Sequence, residues 1–175
     1  GLAGCSSFAE SAVAGNEISC PVAGSDITEK IGSLLGKVLG AKEPLVAKLY
    51  CNGRSDVAKR GADYDGFTDC KSAMVVDPGA GKTCSYSCIG LGSCVKACPF
   101  GAIKLDDGIV HITPNLCTGC GICVNTCPKD VLGLGPKSKT TVITCHSNDK
   151  GPLAMKACKN ACIGCGKCVK ECPVN

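Results

Sequence analysis

The chain has 175 residues, 18 cysteines, no tryptophan, three tyrosines, three phenylalanines and a formal net charge of +4 that counts every cysteine as neutral. Aromatic side chains normally dominate core burial, so this composition excludes an ordinary large hydrophobic core, and cysteine at this density means disulfides or metal. The lysines are scattered and lack interleaved aromatics, which argues against a nucleic-acid surface, and no stretch is apolar for long enough to span a membrane.

Residues 1–40 read as a small helical unit. The stretch 1–14 is rich in small residues and is expected to be helical from Ser6. Residues 27–39 place Ile27, Ile31, Leu34, Leu35 and Val38 at amphipathic-helix spacing, with Asp26 as N-cap. Glycines at 32, 36 and 40 weaken that helix in isolation, so its expected role is packing. Cys5 and Cys20 lack the company that a four-ligand site needs. With an opening on Gly1 rather than methionine, they point to a fragment whose missing front carries a C-x2-C. The bland alternative is two free or mutually bridged thiols.

Residues 41–83 read as a linking segment. A strand over 45–50 runs into Cys51, a turn spans 63–66, Cys70 opens a short apolar stretch over 73–76, and 78–81 is a loop. Gly79-Ala-Gly-Lys82-Thr83 is not read as a phosphate loop, because Pro78 precedes it and the first glycine of that motif is absent.

Residues 84–135 begin with a cysteine run ending in Cys98-Pro99. A hairpin follows: strands over 102–105 and 109–112 around an Asp107-Gly108 turn. His111 lies on this hairpin as a surface or packing residue. A second cysteine run starts at Cys117, and 131–134 closes the unit as a strand. Residues 136–175 start again: a strand over 140–144 into Cys145, a helix-compatible stretch over 152–157, then Cys158 and a third run ending in Cys172-Pro173.

The central run, Cys117-Thr-Gly-Cys120-Gly-Ile-Cys123-Val-Asn-Thr-Cys127-Pro128, has the C-x2-C-x2-C-x3-C-P spacing by which ferredoxins hold [4Fe–4S] clusters. Three thiolates on one tight loop reach three corners of a cube, and Gly119 and Gly121 let the backbone bend closely around it. The fourth cysteine, aimed away by Pro128, serves the neighbouring cluster. Disulfides fit poorly, since no signal peptide implies an oxidising compartment and cysteines clustered in threes give poor bridge geometry. Zinc fits poorly too, since neither His111 nor His146 stands beside a cysteine pair at finger spacing. Clusters ligated by thiolates are anionic, so part of the lysine excess is internal compensation. Lys96, Lys129 and Lys167 lie near ligands and either raise local potentials or are solvated surface residues.

Two segments align without a gap: Cys84-SYS-Cys88-IGLGS-Cys94-VKA-Cys98-Pro99 and Cys158-KNA-Cys162-IGCGK-Cys168-VKE-Cys172-Pro173. Each follows a strand ending in cysteine, at Cys51 and Cys145, so the chain holds two copies of one plan. Leu91 stands where the second copy has Cys165. The expected repair brings in Cys84, giving one cluster on Cys84, Cys88, Cys94 and Cys127 and a second on Cys98, Cys117, Cys120 and Cys123. A third set, Cys162, Cys165 and Cys168, has a fourth ligand missing or supplied by Cys158, and Cys172 is expected to serve a run beyond residue 175. Cys51, Cys70, Cys145 and Cys158 remain. If the two strands pair side by side, these four are the material for an additional cluster joining the copies.

The order Gly4-Cys5…Cys20-Pro21, Cys51-Asn-Gly, Asp69-Cys70, Cys84-SYS-Cys88-Ile-Gly-Leu-Gly-Ser-Cys94 and Cys145…Asp149-Lys-Gly151 resembles the B subunits of Rnf ion-translocating electron-transport complexes, in their long polyferredoxin form. The likeness covers essentially the whole chain. It implies a truncation at both ends: a membrane anchor and a C-x2-C ahead of residue 1, the latter completing a cluster with Cys5 and Cys20, and a further ferredoxin module after residue 175. It also implies electron transfer between reduced soluble ferredoxin and NAD, coupled to sodium or proton movement by other membrane subunits, at the cytoplasmic face of the membrane. This fragment itself would not insert into a membrane.

The expected fold class is α+β: ferredoxin-like modules for two [4Fe–4S] clusters each, with a small helical N-terminal unit and short linking strands. At least two [4Fe–4S] clusters are expected, with one-electron relay as the function. No nucleophile–base set or dinucleotide loop gives the chain an independent catalytic site. The alternatives are a soluble polyferredoxin serving another anaerobic oxidoreductase and, from a different class, a zinc-binding interaction module.

Overall fold

In the computed structural model, residues 3–15, 24–37 and 43–173 are described. Two helices come first, α1 (Ala3–Ala14) and α2 (Gly24–Leu35). They pack on one another, and Lys37 donates from its ammonium to the Val13 carbonyl. The first helix begins at Ala3, ahead of the expected Ser6. The second ends at Leu35 rather than 39, because Gly36 adopts a left-handed φ of 63° that stops the ladder. Asp26 sits inside its first turn rather than at the cap, where a carboxylate favours the helix dipole. Thr28 is buried, while Leu34 and Leu35 are exposed.

The remaining elements are β1 (Leu45–Leu49), α3 (Cys70–Val76), α4 (Ser93–Ala97), β2 (Ile103–Asp106), β3 (Ile109–Ile112), α5 (Ile122–Thr126), β4 (Leu132–Pro136), α6 (Gly151–Ala157) and α7 (Lys167–Lys170). They make two small antiparallel sheets. Strand β1 pairs with β4, Leu45 facing Pro136 and Leu49 facing Leu132. Strands β2 and β3 form the hairpin, Ile103 facing Ile112 and Asp106 facing Ile109. Its turn puts Asp107 at φ 50° and Gly108 at φ 73°, the left-handed pair that matches strand twist. His111 faces Lys104 on the exposed side of the hairpin.

The β1–β4 pairing folds the segment around residue 45 onto the unit that follows it. The stretch 140–144 is not a strand. Its β-branched residues favour extended backbone, but the stretch lies mostly exposed, and β1 pairs with β4 alone in its two-stranded sheet. The expected pairing of strands before Cys51 and Cys145 therefore does not form. The two copies meet instead through an isolated bridge between Ala58 and Cys158, flanked by Lys59 N–H donating to the Ala157 carbonyl at 2.9 Å and Lys159 N–H to the Val57 carbonyl at 3.0 Å.

One core cluster joins Ala47, Ile103, Ile109, Val110, Val131 and Leu132 to Cys51, Cys88, Cys94 and Cys123. Four of its ten buried residues are thus thiols, which places them where other small domains bury aromatic rings. A satellite cluster packs Ala73, Ala80 and Ile89 with Tyr64, Cys70 and Leu91.

Candidate metal centre

The cysteines of the described residues fall into sets around separate cavities, and none forms a disulfide. The first cavity is lined by Cys70, Cys88, Cys94 and Cys127, with Ile89, Val110, Val131 and Leu132 as apolar wall. The second is lined by Cys98, Cys117, Cys120 and Cys123, walled by Ala47, Phe100, Ala102, Ile103 and Leu134. The two central runs exchange their last cysteines. Cys98 leaves the end of α4 for the second cavity, and Cys127 leaves the end of α5 for the first. Each helix starts from a left-handed glycine, Gly92 and Gly121, and the two helices pack together, which sets the cavities side by side.

Cys84, expected with Cys88 and Cys94, is not in the first cavity. Cys70, expected in the leftover group, stands in its place. The reason lies in α3. Asp69 caps that helix by accepting from Ser72 N–H at 2.9 Å, and this hydrogen bond holds the Asp69 carboxyl below its ordinary pKa. The Cys70 N–H donates to the Ser93 hydroxyl at 2.8 Å, which docks the start of α3 on the start of α4. Leu91, occupying the position of the missing thiol, packs beside Ala73 and Cys70. The fourth thiol of this cavity thus comes from a separate helix.

Cys84 lines a third cavity with Cys51, Cys145 and Cys158. Its thiol is raised above the ordinary pKa by burial first, and the other thiols acting on it are these same three. Cys158, the expected partner of Cys162, Cys165 and Cys168, lines this cavity. In that last run Cys162 is half-buried while Cys165, Cys168 and Cys172 are exposed. Cys5 lies within α1, but its side chain is outside the described residues, as is the whole of Cys20.

The second cavity is built with very little slack. Gly119 has φ 69°, and a Cβ there would stand 2.4 Å from the Leu45 carbonyl oxygen. Ala47 N–H donates to Cys117 Sγ at 3.3 Å, so β1 both presses on the loop and supports its sulfur. Gly119→Ala is expected to cost about 1–2 kcal/mol from the left-handed backbone alone, and more from the collision. Thermal melting of holo-protein should fall, with iron lost from this site first; an unchanged melt and iron content would contradict the packing described.

Residues 87–131 match a 4Fe-4S dicluster domain family, and residues 116–175 match a second 4Fe-4S dicluster domain family. The chain is 39% identical over 161 residues to the B subunit of the Na(+)-translocating ferredoxin:NAD(+) oxidoreductase complex of Acetobacterium woodii, covering 90% of this chain and 48% of that protein. It is 40% identical over 162 residues to the B subunit of the proton-translocating ferredoxin:NAD(+) oxidoreductase complex of Clostridium ljungdahlii, covering 90% and 57%. It is 40% identical over 162 residues to the B subunit of an ion-translocating oxidoreductase complex of Methanosarcina acetivorans, covering 91% and 61%. Over nine-tenths of its length the chain is a homologue of these B subunits. It spans about half the length of the curated relatives it matches.

The two dicluster matches imply at least two [4Fe–4S] clusters in this B-type homologue, and its cavities fit them. Four thiols spread around one apolar cavity are the donor set of a cubane. Among the described residues no three His, Cys, Asp or Glu side chains converge as a single-ion site requires. The Thr118 hydroxyl, at the wall of the second cavity, is buried without a partner; a cluster held there would supply the acceptor it lacks. Burial pushes the Cys88 thiol up to about 11 and the Cys94 thiol up to about 12. Loading these sites therefore expels protons, since the thiolate is the ligand. The first dicluster match covers the two runs that the structure interlocks.

One residue escapes a reading of the sequence. Lys82 is 6% exposed. Its ammonium donates to the carbonyls of Gly53 at 3.0 Å, Cys88 at 2.9 Å and Gly108 at 2.7 Å. Three donors require the charged form, because a neutral amine has two. Burial pushes its pKa down, while Cys88 and Cys51 push it back up. Among the described residues no carboxylate pairs with it. Of the lysines picked out by sequence, Lys129 lines the first cavity, whereas Lys96 and Lys167 are exposed.

Proposed function

We propose that this chain is an iron–sulfur electron-transfer module of a membrane-bound ion-translocating ferredoxin:NAD oxidoreductase. The observation that carries the proposal is the exchange of Cys98 and Cys127 between neighbouring four-thiol cavities. Two sites that trade ligands lie close together in one rigid unit, which is what relay between them needs. Cys70, Cys88, Cys94 and Cys127 hold one cluster, and Cys98, Cys117, Cys120 and Cys123 the other. When bound, such clusters take up and release single electrons, with potentials set by burial, hydrogen bonds to sulfur and local charge.

The residues of this chain shape that chemistry. The apolar walls bury Cys88, Cys94 and Cys123, and Ala47 N–H donates to Cys117 Sγ. Residues 43–136 act as one ferredoxin-type unit, since β1 completes its sheet, and Cys162, Cys165 and Cys168 belong to a further site on the C-terminal copy. Other membrane subunits of such a complex are the partners, with soluble ferredoxin as donor or acceptor at the cytoplasmic face. No helix among the described residues is long and apolar enough to cross a membrane.

Anaerobically reconstituted chain should be brown, and a low-potential reduced ferredoxin should bleach it, with reduced-cluster signals in electron paramagnetic resonance. A colourless protein carrying stoichiometric zinc would overturn the proposal. So would full cluster content with no electron uptake from ferredoxin.

A further inference from the structure

We propose that Cys51, Cys84, Cys145 and Cys158 hold a further [4Fe–4S] cluster, built across the two copies of the repeat and separate from both cavities of the central ferredoxin unit. All four thiols line one cavity, with Tyr50, Ala58, Ala154 and Ala161 among its apolar wall. The proposal rests on the reading that four-thiol cavities in this chain are cluster sites, and it adds a site that neither interlocked run supplies. Cys51 and Cys84 both precede the first dicluster match, which begins at residue 87.

The set is made of equivalent residues. Cys84 and Cys158 open the two aligned cysteine segments, and Cys51 and Cys145 stand ahead of them in each copy. Each copy therefore gives one matching pair, and the cavity lies where the copies meet. The bridge between Ala58 and Cys158 closes that junction, and Asn160 Nδ2 donates to the Asn52 carbonyl at 3.5 Å across it. Neither copy alone has more than two of the four thiols.

Two further observations point to negative charge at this cavity. Cys51 Sγ accepts two backbone N–H groups, from Gly53 at 3.4 Å and from Cys88 at 3.3 Å. Backbone N–H groups aimed at sulfur are the hydrogen bonds by which a protein tunes a cluster. Lys82 supplies the second. A buried ammonium without a carboxylate is costly unless another anion answers it. Its three acceptors come from Gly53, beside Cys51, from Cys88, in the first cavity, and from Gly108. It therefore stands between the first and third cavities, and clusters in both provide the missing anion. Because Cys88 N–H bonds to Cys51 Sγ, the two cavities share a wall. Cys162 follows Cys158 by one short turn, so the third site connects the central unit to the C-terminal run.

The test counts iron and acid-labile sulfide on the anaerobically reconstituted full chain and on single Cys145→Ala and Cys51→Ala variants. Each is expected to lose one cluster's worth of both, and the double variant no more than either alone. Cys120→Ala serves as control, because it removes a cluster of the central unit whether or not the third site exists. Native mass spectrometry of the unaltered chain counts clusters without relying on any variant's folding. Unchanged iron in Cys145→Ala and Cys51→Ala, or a single zinc lost in place of a cluster, would overturn the third site while leaving the other two standing. Loss of no iron in Cys120→Ala would sink the underlying reading instead.

Discussion

Replacing Cys70 and Cys94 together by alanine should remove no more iron than replacing Cys94 alone, whereas pairing Cys84→Ala with Cys94→Ala should remove twice as much. The logic is that of a double-mutant cycle, in which residues serving one site are non-additive and residues serving separate sites add. Cys70 and Cys94 line one cavity; Cys84 lines another. The repair that the internal repeat alone suggests, with Cys84 filling the gap left by Leu91, gives the reverse pattern. A chain in which Cys84 has no ligand role gives a third pattern, in which Cys84→Ala changes no iron at all. Three outcomes separate three assignments, and each is read as a ratio of iron per chain. Alanine is the right replacement, because a serine oxygen can still coordinate.

The same comparison should appear in the effect of Ser93→Ala. The Ser93 hydroxyl accepts from Cys70 N–H and so fixes where α3 begins. Its loss should lower retention of the first-cavity cluster severalfold during dialysis against chelator, and leave the second cavity unaffected. Equal loss from both cavities would mean that α3 does not deliver the ligand.

Why Cys70 is hard to see in the sequence follows from how it is placed. Cys117, Cys120 and Cys123 are legible because one loop carries all three, and the spacing itself encodes the cube. The hairpin is legible for the same reason: alternation on both sides of Asp107-Gly108 is local. Cys70 has no local signature. It reaches its cavity through a seven-residue helix whose position depends on Ser93 and Leu91, both distant in sequence. Leu91 is visible as a lost ligand, yet the repeat offers only its own cysteines as replacements. The stretch 140–144 misleads in the opposite direction. Its composition is that of a strand, but a strand also needs a partner to bond with, and residues 140–144 run mostly exposed outside both sheets. Cys145 reaches the third cavity without strand pairing, because the copies join through residues 57–59 and 157–159 instead.

Lys82→Met should destabilise the protein by about 3 kcal/mol or more and lower the reduction potentials of the clusters on either side of it. The stability loss comes from three buried carbonyls, those of Gly53, Cys88 and Gly108, that lose their donor together; each orphaned group costs about 1–3 kcal/mol. Methionine keeps much of the side chain's length and apolar stem, so packing loss is small. The potential shift has a separate origin. Reduction adds a negative charge to each site, and a buried cation nearby favours the reduced form. Removing a unit charge at close range, with an effective dielectric constant of about 20, is worth on the order of 1–3 kcal/mol, which for one electron is a fall of roughly 40–130 mV. The two effects are measured separately, by chemical unfolding of the apo chain and by redox titration of the holo chain. A lysine that only braces the loops would give the first effect and leave the potentials in place. A lysine that answers the charge of two clusters gives both, and the shift should appear at the first and third sites while the second, which Lys82 does not touch, keeps its potential.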